Sequence, residues 1–171
     1  MRYIFILILL LKIASADTLN IDSFTADFQQ TITDDKGHKL LYSGKISALK
    51  PQYAKWSYET PVKKDVYIST NRIIIVEPEI EQVIIRDIHS SFDFFSLISH
   101  AKKIADNKYI ATYQESKFII ELKNSKIESL SYKDNFDNSV KIIFSDQVQN
   151  SKILKREFKA LYPLDYDIIR D

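Results

Sequence analysis

The chain contains no cysteine. That excludes a disulfide framework, thiolate nucleophiles and cysteine metal sites, and it leaves the redox compartment open. Glycine occurs only twice, at Gly37 and Gly44. A Gly-rich phosphate loop and a G-x-S-x-G nucleophile elbow therefore have no material to form from, and a small, tightly kinked closed barrel lacks its corners. An excess of one charge is missing as well: 24 basic and 23 acidic residues leave a net charge of +1. No global field draws the protein to nucleic acid or to an anionic membrane. His38, His89 and His100 lie far apart without metal-ligand spacing, and read as solvent-exposed side chains. Neither a cofactor nor a metal is expected, and no catalytic constellation stands out.

At the N-terminus the composition changes. Met1-Arg2 is a short positive start, and Tyr3 to Leu11 is an unbroken apolar run. A bilayer span needs about 20 such residues, so the run is too short to cross. Lys12 interrupts it, and Ala14-Ser15-Ala16 has the small-x-small pattern of a cleavage site. The expectation is a signal peptide over residues 1–16 and a single exported domain over 17–171, with an uncleaved anchor as the alternative. A chain of 171 residues buries roughly 70% of its unfolded surface, enough for one sizeable core.

Alternation governs the remainder. Phe24, Ala26, Phe28, Gln30 and Ile32 point one way and Thr25, Asp27, Gln29, Thr31 and Thr33 the other. Asp34-Asp35-Lys36-Gly37 reads as a turn with positive φ at the glycine, and a second strand follows over Lys39 to Leu49. Lys50-Pro51 ends it, and a third strand carries Ala54, Trp56 and Tyr58 on one face. Asp65 to Ser69 puts Val66 and Ile68 on one side. Arg72 to Val76 is apolar on both faces, as in a strand buried on both sides or one that feeds a second apolar space. Glu81 to Asp87 carries Val83 and Ile85. The period then changes: Phe92, Phe95 and Ile98 recur at helical spacing beside Phe94 and Leu97, with Ser90 or Ser91 as N-cap and His100 to Ile104 closing the helical insertion. Strands resume over 108–114, 117–122, 126–133 and 139–145, and Lys152 to Leu161 reads as a last strand or a short helix.

That is about ten strands with one helical interruption. Such a sheet twists and curls, and its inner face needs a cover. Large aromatic residues are many, with ten phenylalanines and ten tyrosines, and helix is scarce. Either the inner face holds a ligand or the sheet folds on itself as a sandwich. The acidic residues Glu77, Glu79 and Glu81 bracket Pro78 and read as a solvated hairpin. The basic pairs Lys63-Lys64, Lys102-Lys103 and Lys155-Arg156 read as solvated, with a partner-binding rim as the alternative for one of them.

An ordered set of residues adds a resemblance. It comprises F-x-x-x-F-x-Q over Phe24 to Gln30, then Gly37, Gly44, Lys50-Pro51, Trp56 and Tyr58-x-x-Pro61, with Glu77-Pro78, Gln82-Val83, Phe158, Pro163 and Asp167-Ile168-Ile169. This resembles the periplasmic outer-membrane lipoprotein carrier family LolA across nearly the whole mature chain. The resemblance implies a mainly β fold: a curled antiparallel sheet, an unclosed half-barrel, with a short helical lid over an apolar cavity. It implies a monomeric periplasmic chaperone without enzymatic activity or cofactor. Its partners would be acylated lipoproteins, an inner-membrane ABC-type releasing complex of LolCDE type and, where present, an outer-membrane acceptor of LolB type, with no nucleic acid.

Under that resemblance Phe24, Phe28, Trp56, Tyr58, Val66 and Ile68 are expected along the lipid cavity, and Phe95, Leu97 and Ile98 on the lid helix. Lys50 stands where the family usually has a lid-latching arginine; a lysine lacks the planar fork, so the latch is expected to be weaker. Ala54 replaces a larger aromatic residue and is expected to open space beside Trp56. The short lead-in, Asp17 to Ser23, replaces a first helix and is expected to leave a more open mouth. The rival functions are a periplasmic lipid-sensing or regulatory protein with the same half-barrel, a structural β-sandwich with a filled core, and an exported hydrolase without a recognisable motif.

Overall fold

The alternating segment that begins at Phe24 becomes the central strand of one sheet. A computed structural model of the chain describes residues 20–88, 93–113 and 115–170. The expected signal peptide, the mature start near Asp17, the serine caps Ser90 and Ser91, and Phe92 lie outside the described residues. In chain order the strands are β1 (Ser23–Thr33), β2 (Lys39–Leu49), β3 (Tyr53–Thr60), β4 (Lys64–Ser69), β5 (Arg72–Glu77) and β6 (Gln82–Asp87). Helix α1 (Phe94–Ser99) follows, then β7 (Lys102–Ala105), β8 (Lys108–Tyr113), β9 (Ser116–Lys123), β10 (Lys126–Lys133), β11 (Ser139–Gln149) and β12 (Asp167–Arg170).

These form one 12-stranded sheet in the order β12-β6-β5-β4-β3-β2-β1-β11-β10-β9-β8-β7. Two meanders therefore meet along the β1–β11 pairing, where Phe28 stands opposite Phe144 and Ile32 opposite Val140. The outer strands β12 and β7 do not pair with each other, so the sheet is curled and unclosed. All pairings are antiparallel except β12 on β6.

Tight turns set the register at one end of the sheet. Gly37 has φ +84°, in the left-handed region that its turn requires. The Asp34 carboxylate accepts from the backbone N–H groups of Lys36 (2.9 Å) and His38 (2.8 Å). Asp134 repeats the arrangement one hairpin away, accepting from Phe136 (2.9 Å) and Asn138 (3.0 Å). Gly44 has a different role. A Cβ there would run into the Ser57 carbonyl oxygen of β3, so only glycine allows this approach.

The two faces of the sheet have separate cores. On the concave face, Phe24, Phe28, Ile46, Phe118, Ile120, Leu130, Ile142 and Phe144 pack with Phe94, Phe95, Leu97 and Ile98 of α1. A helix of six residues is marginal alone; four buried side chains, each contributing about 1.5–3 kcal/mol relative to exposure, hold it on the sheet. On the convex face, Tyr67, Val76, Val83 and Ile85 form a second cluster under Ala160, Tyr162 and Tyr166 of the C-terminal segment. Arg72–Glu77 thus feeds a second apolar space, the latter of its two expected roles.

Four expectations need correction. Among the described residues there are twelve strands, not about ten. Lys102–Ala105 does not close the helical insertion but forms edge strand β7, exposed throughout; an edge with two lysines needs no apolar period, so none shows in the sequence. Residues Lys152 to Leu161 are neither a strand nor an α-helix. They form an irregular strap with one 3₁₀ turn, Lys155–Phe158, whose buried Phe158 ring lies 5.8 Å from that of Tyr53. The last strand is β12, delivered by that strap. Finally, α1 is capped by Asp93, whose Oδ1 accepts from the N–H groups of Phe95 (3.0 Å) and Ser96 (3.1 Å).

Candidate functional site

Concave-face side chains follow from the strand register. β3 and β4 pair so that Ala54 stands opposite Ile68, Trp56 opposite Val66 and Tyr58 opposite Lys64. On β1, Phe28 lies between Phe144 on one side and Gly44 on the other, and Gly44 is in turn opposite Tyr58. With no side chain at Gly44, the rings of Phe28 and Tyr58 meet edge-to-face across it at 5.1 Å. Trp56 meets Phe28 in the same way at 5.0 Å.

An open cleft of about 480 Å³ lies on this face. One wall is Trp56, Tyr58, Val66 and Ile68 from β3 and β4. The opposite wall is Phe118, Leu130, Tyr132 and Ile142 from β9, β10 and β11, with Tyr113 beyond. The turn after β10, Lys133 to Phe136, forms part of the rim, and Phe136 is 86% exposed there. The volume is within the roughly 300–1,000 Å³ range of ligand pockets, and apolar walls with a few polar groups are the usual composition.

Several polar groups in and beside the cleft are partnered. Tyr58 donates from its hydroxyl to Gln30 Oε1 at 3.1 Å. Burial pushes the Tyr58 phenol up to about 12 and raises that of Tyr132 as well, so both are neutral hydroxyls in the working range. Lys64 Nζ sits 4.9 Å from the centre of the Tyr58 ring and 5.9 Å from that of Tyr42. Asp134 on the rim is held below the ordinary carboxylate range. Burial works to raise it, but the hydrogen bonds from Asn138 and Phe136 outweigh that.

The sequence-derived residues separate into groups. Trp56, Tyr58, Val66 and Ile68 line the cleft. Phe28 is fully buried beneath Trp56 and Tyr58. Phe24 is deeper in the core, its ring 5.7 Å from Phe94 and 5.3 Å from Phe144. On α1, Leu97 and Ile98 are buried in the concave core. Phe95 borders a space of only about 20 Å³ with Trp56, Ile68 and Ala54. The room expected beside Ala54 is thus occupied by Phe94 and Phe95. Helix α1 covers the end of the concave face near the β2–β3 turn, and the cleft occupies the other end.

Lys50 lies outside this group. Its Nζ is 2.6 Å from Asp22 Oδ1 and 3.4 Å from Asn20 Oδ1, so it ties β2 to the lead-in segment. The contact that reaches α1 comes from Gln52, which donates to Asp93 Oδ2 at 3.3 Å. The far wall, Phe118, Leu130, Tyr132 and Ile142, alternates visibly in the sequence, but nothing local in the sequence places it on the cavity. The missing fact was the β1–β11 pairing that brings the second meander round to face the first.

Comparison with known proteins gives concordant matches. Residues 19–117 match the family described as outer membrane lipoprotein carrier protein LolA. An outer-membrane lipoprotein carrier protein of Campylobacter jejuni is 40% identical over 152 residues, covering 89% of each chain. One from Wolinella succinogenes is 32% identical over 152 residues, covering 88% of each. Among solved structures, a LolA superfamily protein from Nitrosomonas europaea shares the fold. Its TM-score is 0.50, at 10% identity, over 85% of this chain and 94% of that one.

Proposed function

The chain belongs to the LolA family of outer membrane lipoprotein carrier proteins, and from that premise we propose that it is a periplasmic chaperone that takes lipoprotein acyl chains into the concave cleft and carries them to the outer membrane. The observation that carries the assignment of the cleft is its composition. Two facing walls of aromatic and aliphatic side chains line the space, the charged lining residues Lys133 and Asp134 belong to the turn at its rim, and α1 covers the neighbouring end of the concave face.

The energetics suit a carrier. Each buried CH₂ is worth about 0.8 kcal/mol, so one sixteen-carbon chain in water costs on the order of 12 kcal/mol. Hiding a chain between Trp56, Ile68, Phe118 and Leu130 removes much of that cost. An open cleft removes less of it than a closed one, and that leaves hand-over possible. Binding and release are changes of burial, and they need no covalent step.

The finer assignments belong to the same proposal. Residues 1–16 direct export and are removed after Ala16, and residues 17–171 act as one domain. A LolCDE-type complex in the inner membrane loads the cleft, and a LolB-type acceptor, where present, unloads it. Trp56, Tyr58, Val66 and Ile68 contact the acyl chain, Phe24 and Phe28 support that wall, and Phe95, Leu97 and Ile98 seat the lid. Lys50 acts on the lead-in segment through Asp22.

Expression with its own N-terminus in a host with an outer membrane tests this reading. The protein recovered from the periplasm is expected to carry acylated lipoprotein detectable by mass spectrometry, and its depletion is expected to leave lipoproteins in the inner membrane. A lipid-free cleft that also excludes an apolar dye, or normal lipoprotein sorting on depletion, would overturn it.

A further inference from the structure

The basic pair Lys63-Lys64 has a use that lipoprotein carriage does not explain. Lys64 is the first residue of β4 and stands directly opposite Tyr58, which places it on the concave face beside a residue that lines the cleft. Its ammonium is seated over two tyrosine rings, 4.9 Å from Tyr58 and 5.9 Å from Tyr42. Among the described residues it forms no ion pair. This differs from Lys45, Lys55 and Lys108, each of which has a carboxylate partner. Among the described residues that line the cleft, the one carboxylate, Asp134, is already filled by N–H donors of its own turn.

Two quantities define what would complement this cation. A dry apolar cavity of about 150 Å³ holds one benzene, so 480 Å³ corresponds to on the order of eighteen carbons, the size of a single long acyl chain. A cation fixed on aromatic faces is partly desolvated, and it favours an anion placed beyond it. We propose that the cleft also binds a free single-chain anionic amphiphile, its chain between Trp56, Ile68, Phe118 and Ile142 and its anionic head on Lys64. The shared chemistry is one acyl chain with one negative head, as in a long-chain fatty acid or an anionic lysophospholipid. Such a ligand occupies the cleft without any protein cargo, so it competes with lipoprotein for the same wall. This goes beyond lipoprotein carriage, because it rests on the cation held against Tyr58.

Displacement of a bound apolar fluorophore measures it, using the periplasmic protein washed free of lipid and four ligands below their micelle concentrations. These are palmitate, hexadecanol, lysophosphatidylglycerol and lysophosphatidylcholine. At least one anion is expected to bind with one molecule per chain and about tenfold tighter than its uncharged or zwitterionic counterpart. A palmitate preference identifies a fatty acid, and a lysophosphatidylglycerol preference alone identifies a phospholipid head; either supports the proposal. Lys64→Gln is expected to abolish the preference, and Lys64→Arg to keep it. Equal affinity for charged and uncharged partners overturns the inference, as does a preference that survives Lys64→Gln. Should Lys64→Gln not fold, the wild-type ligand ratios and Lys64→Arg decide it. Capture of a triacylated lipopeptide is measured alongside. If the lipopeptide binds and no single-chain anion does, this inference fails and carriage stands; if the anion binds with Lys64 dependence and the lipopeptide does not, carriage fails and this inference stands.

Discussion

Gln52 donates a hydrogen bond from Nε2 to Asp93 Oδ2 across 3.3 Å, which ties the β2–β3 turn to the start of α1. Asp93 therefore acts twice, since its Oδ1 also caps the helix through the N–H groups of Phe95 and Ser96. Asp93→Ala is expected to cost about 1 kcal/mol of unfolding free energy, the usual cost of a lost N-cap, measured by denaturant titration. Amide exchange in α1 should rise selectively, because both anchors are lost together. Asp93→Asn keeps an acceptor for the cap and is expected to stay within about 0.5 kcal/mol of the wild type. Equal exchange throughout the sheet in Asp93→Ala would contradict a local role.

Gly44 is where the sheet tolerates least. A Cβ would meet the Ser57 carbonyl, which is ladder backbone and has no rotamer to give. Gly44→Ala is expected to destabilise by about 3 kcal/mol, the upper part of the range for overpacking. It should also shift the Tyr58 ring away from Phe28, since both pack over position 44. Thermal unfolding and a weaker aromatic circular dichroism signal check this. Gly37→Ala is the contrast: there is open space around it, and only its φ of +84° is strained, so about 1 kcal/mol is expected.

Tyr58 links the cleft to pH. Burial, with lesser contributions from Tyr132 and Tyr42, lifts its phenol from 10.0 to about 12. The folded state thus favours the neutral form. Its contribution is complete below the unfolded value near 10 and is lost as pH rises from there to about 12. Unfolding free energy is expected to fall across that window, and Tyr58→Phe, which cannot ionise, should flatten the fall. Tyr132 shifts in the same direction, so the slope is reduced and not abolished. An unchanged slope in Tyr58→Phe would refute the assignment.

Much of the first meander is legible in the sequence because its signals are local. Alternation from Phe24 to Ile32, positive φ at Gly37 and the faces of Trp56 and Val66 each depend on a few neighbouring residues, and each appears in the structure as read. What depends on pairing at a distance does not show. Phe118, Leu130 and Ile142 become a cavity wall only because β11 joins β1, more than a hundred residues away in sequence. Val83 and Ile85 alternate as well as Val66 and Ile68 do, yet they face the convex side, under a strap with no period of its own. β7 shows no pattern because both its faces meet solvent. Lys64 looks like a surface lysine until its register opposite Tyr58 is known.

Trp56 and Phe28 touch edge-to-face at 5.0 Å, yet they should respond oppositely to truncation. Phe28 is 1% exposed, beneath the wall, whereas Trp56 is half-buried and forms the wall itself. Phe28→Ala is expected to cost about 3–5 kcal/mol of stability, as for a fully buried ring. Trp56→Ala removes a ring whose outer face meets no protein, so only part of that cost applies, about 1–2 kcal/mol. The ranking for lipid capture reverses. Trp56→Ala removes apolar surface that a chain would cover, at roughly 25 cal/mol per Å², and a loss of about tenfold in lipopeptide affinity is expected. Phe28→Leu, a milder core change that leaves Trp56 in place, should lower stability by about 1 kcal/mol and leave affinity within about twofold. Denaturant unfolding and lipopeptide titration on the same three variants give both rankings. If stability and capture fall in proportion across the set, Trp56 is ordinary core and the wall lies elsewhere.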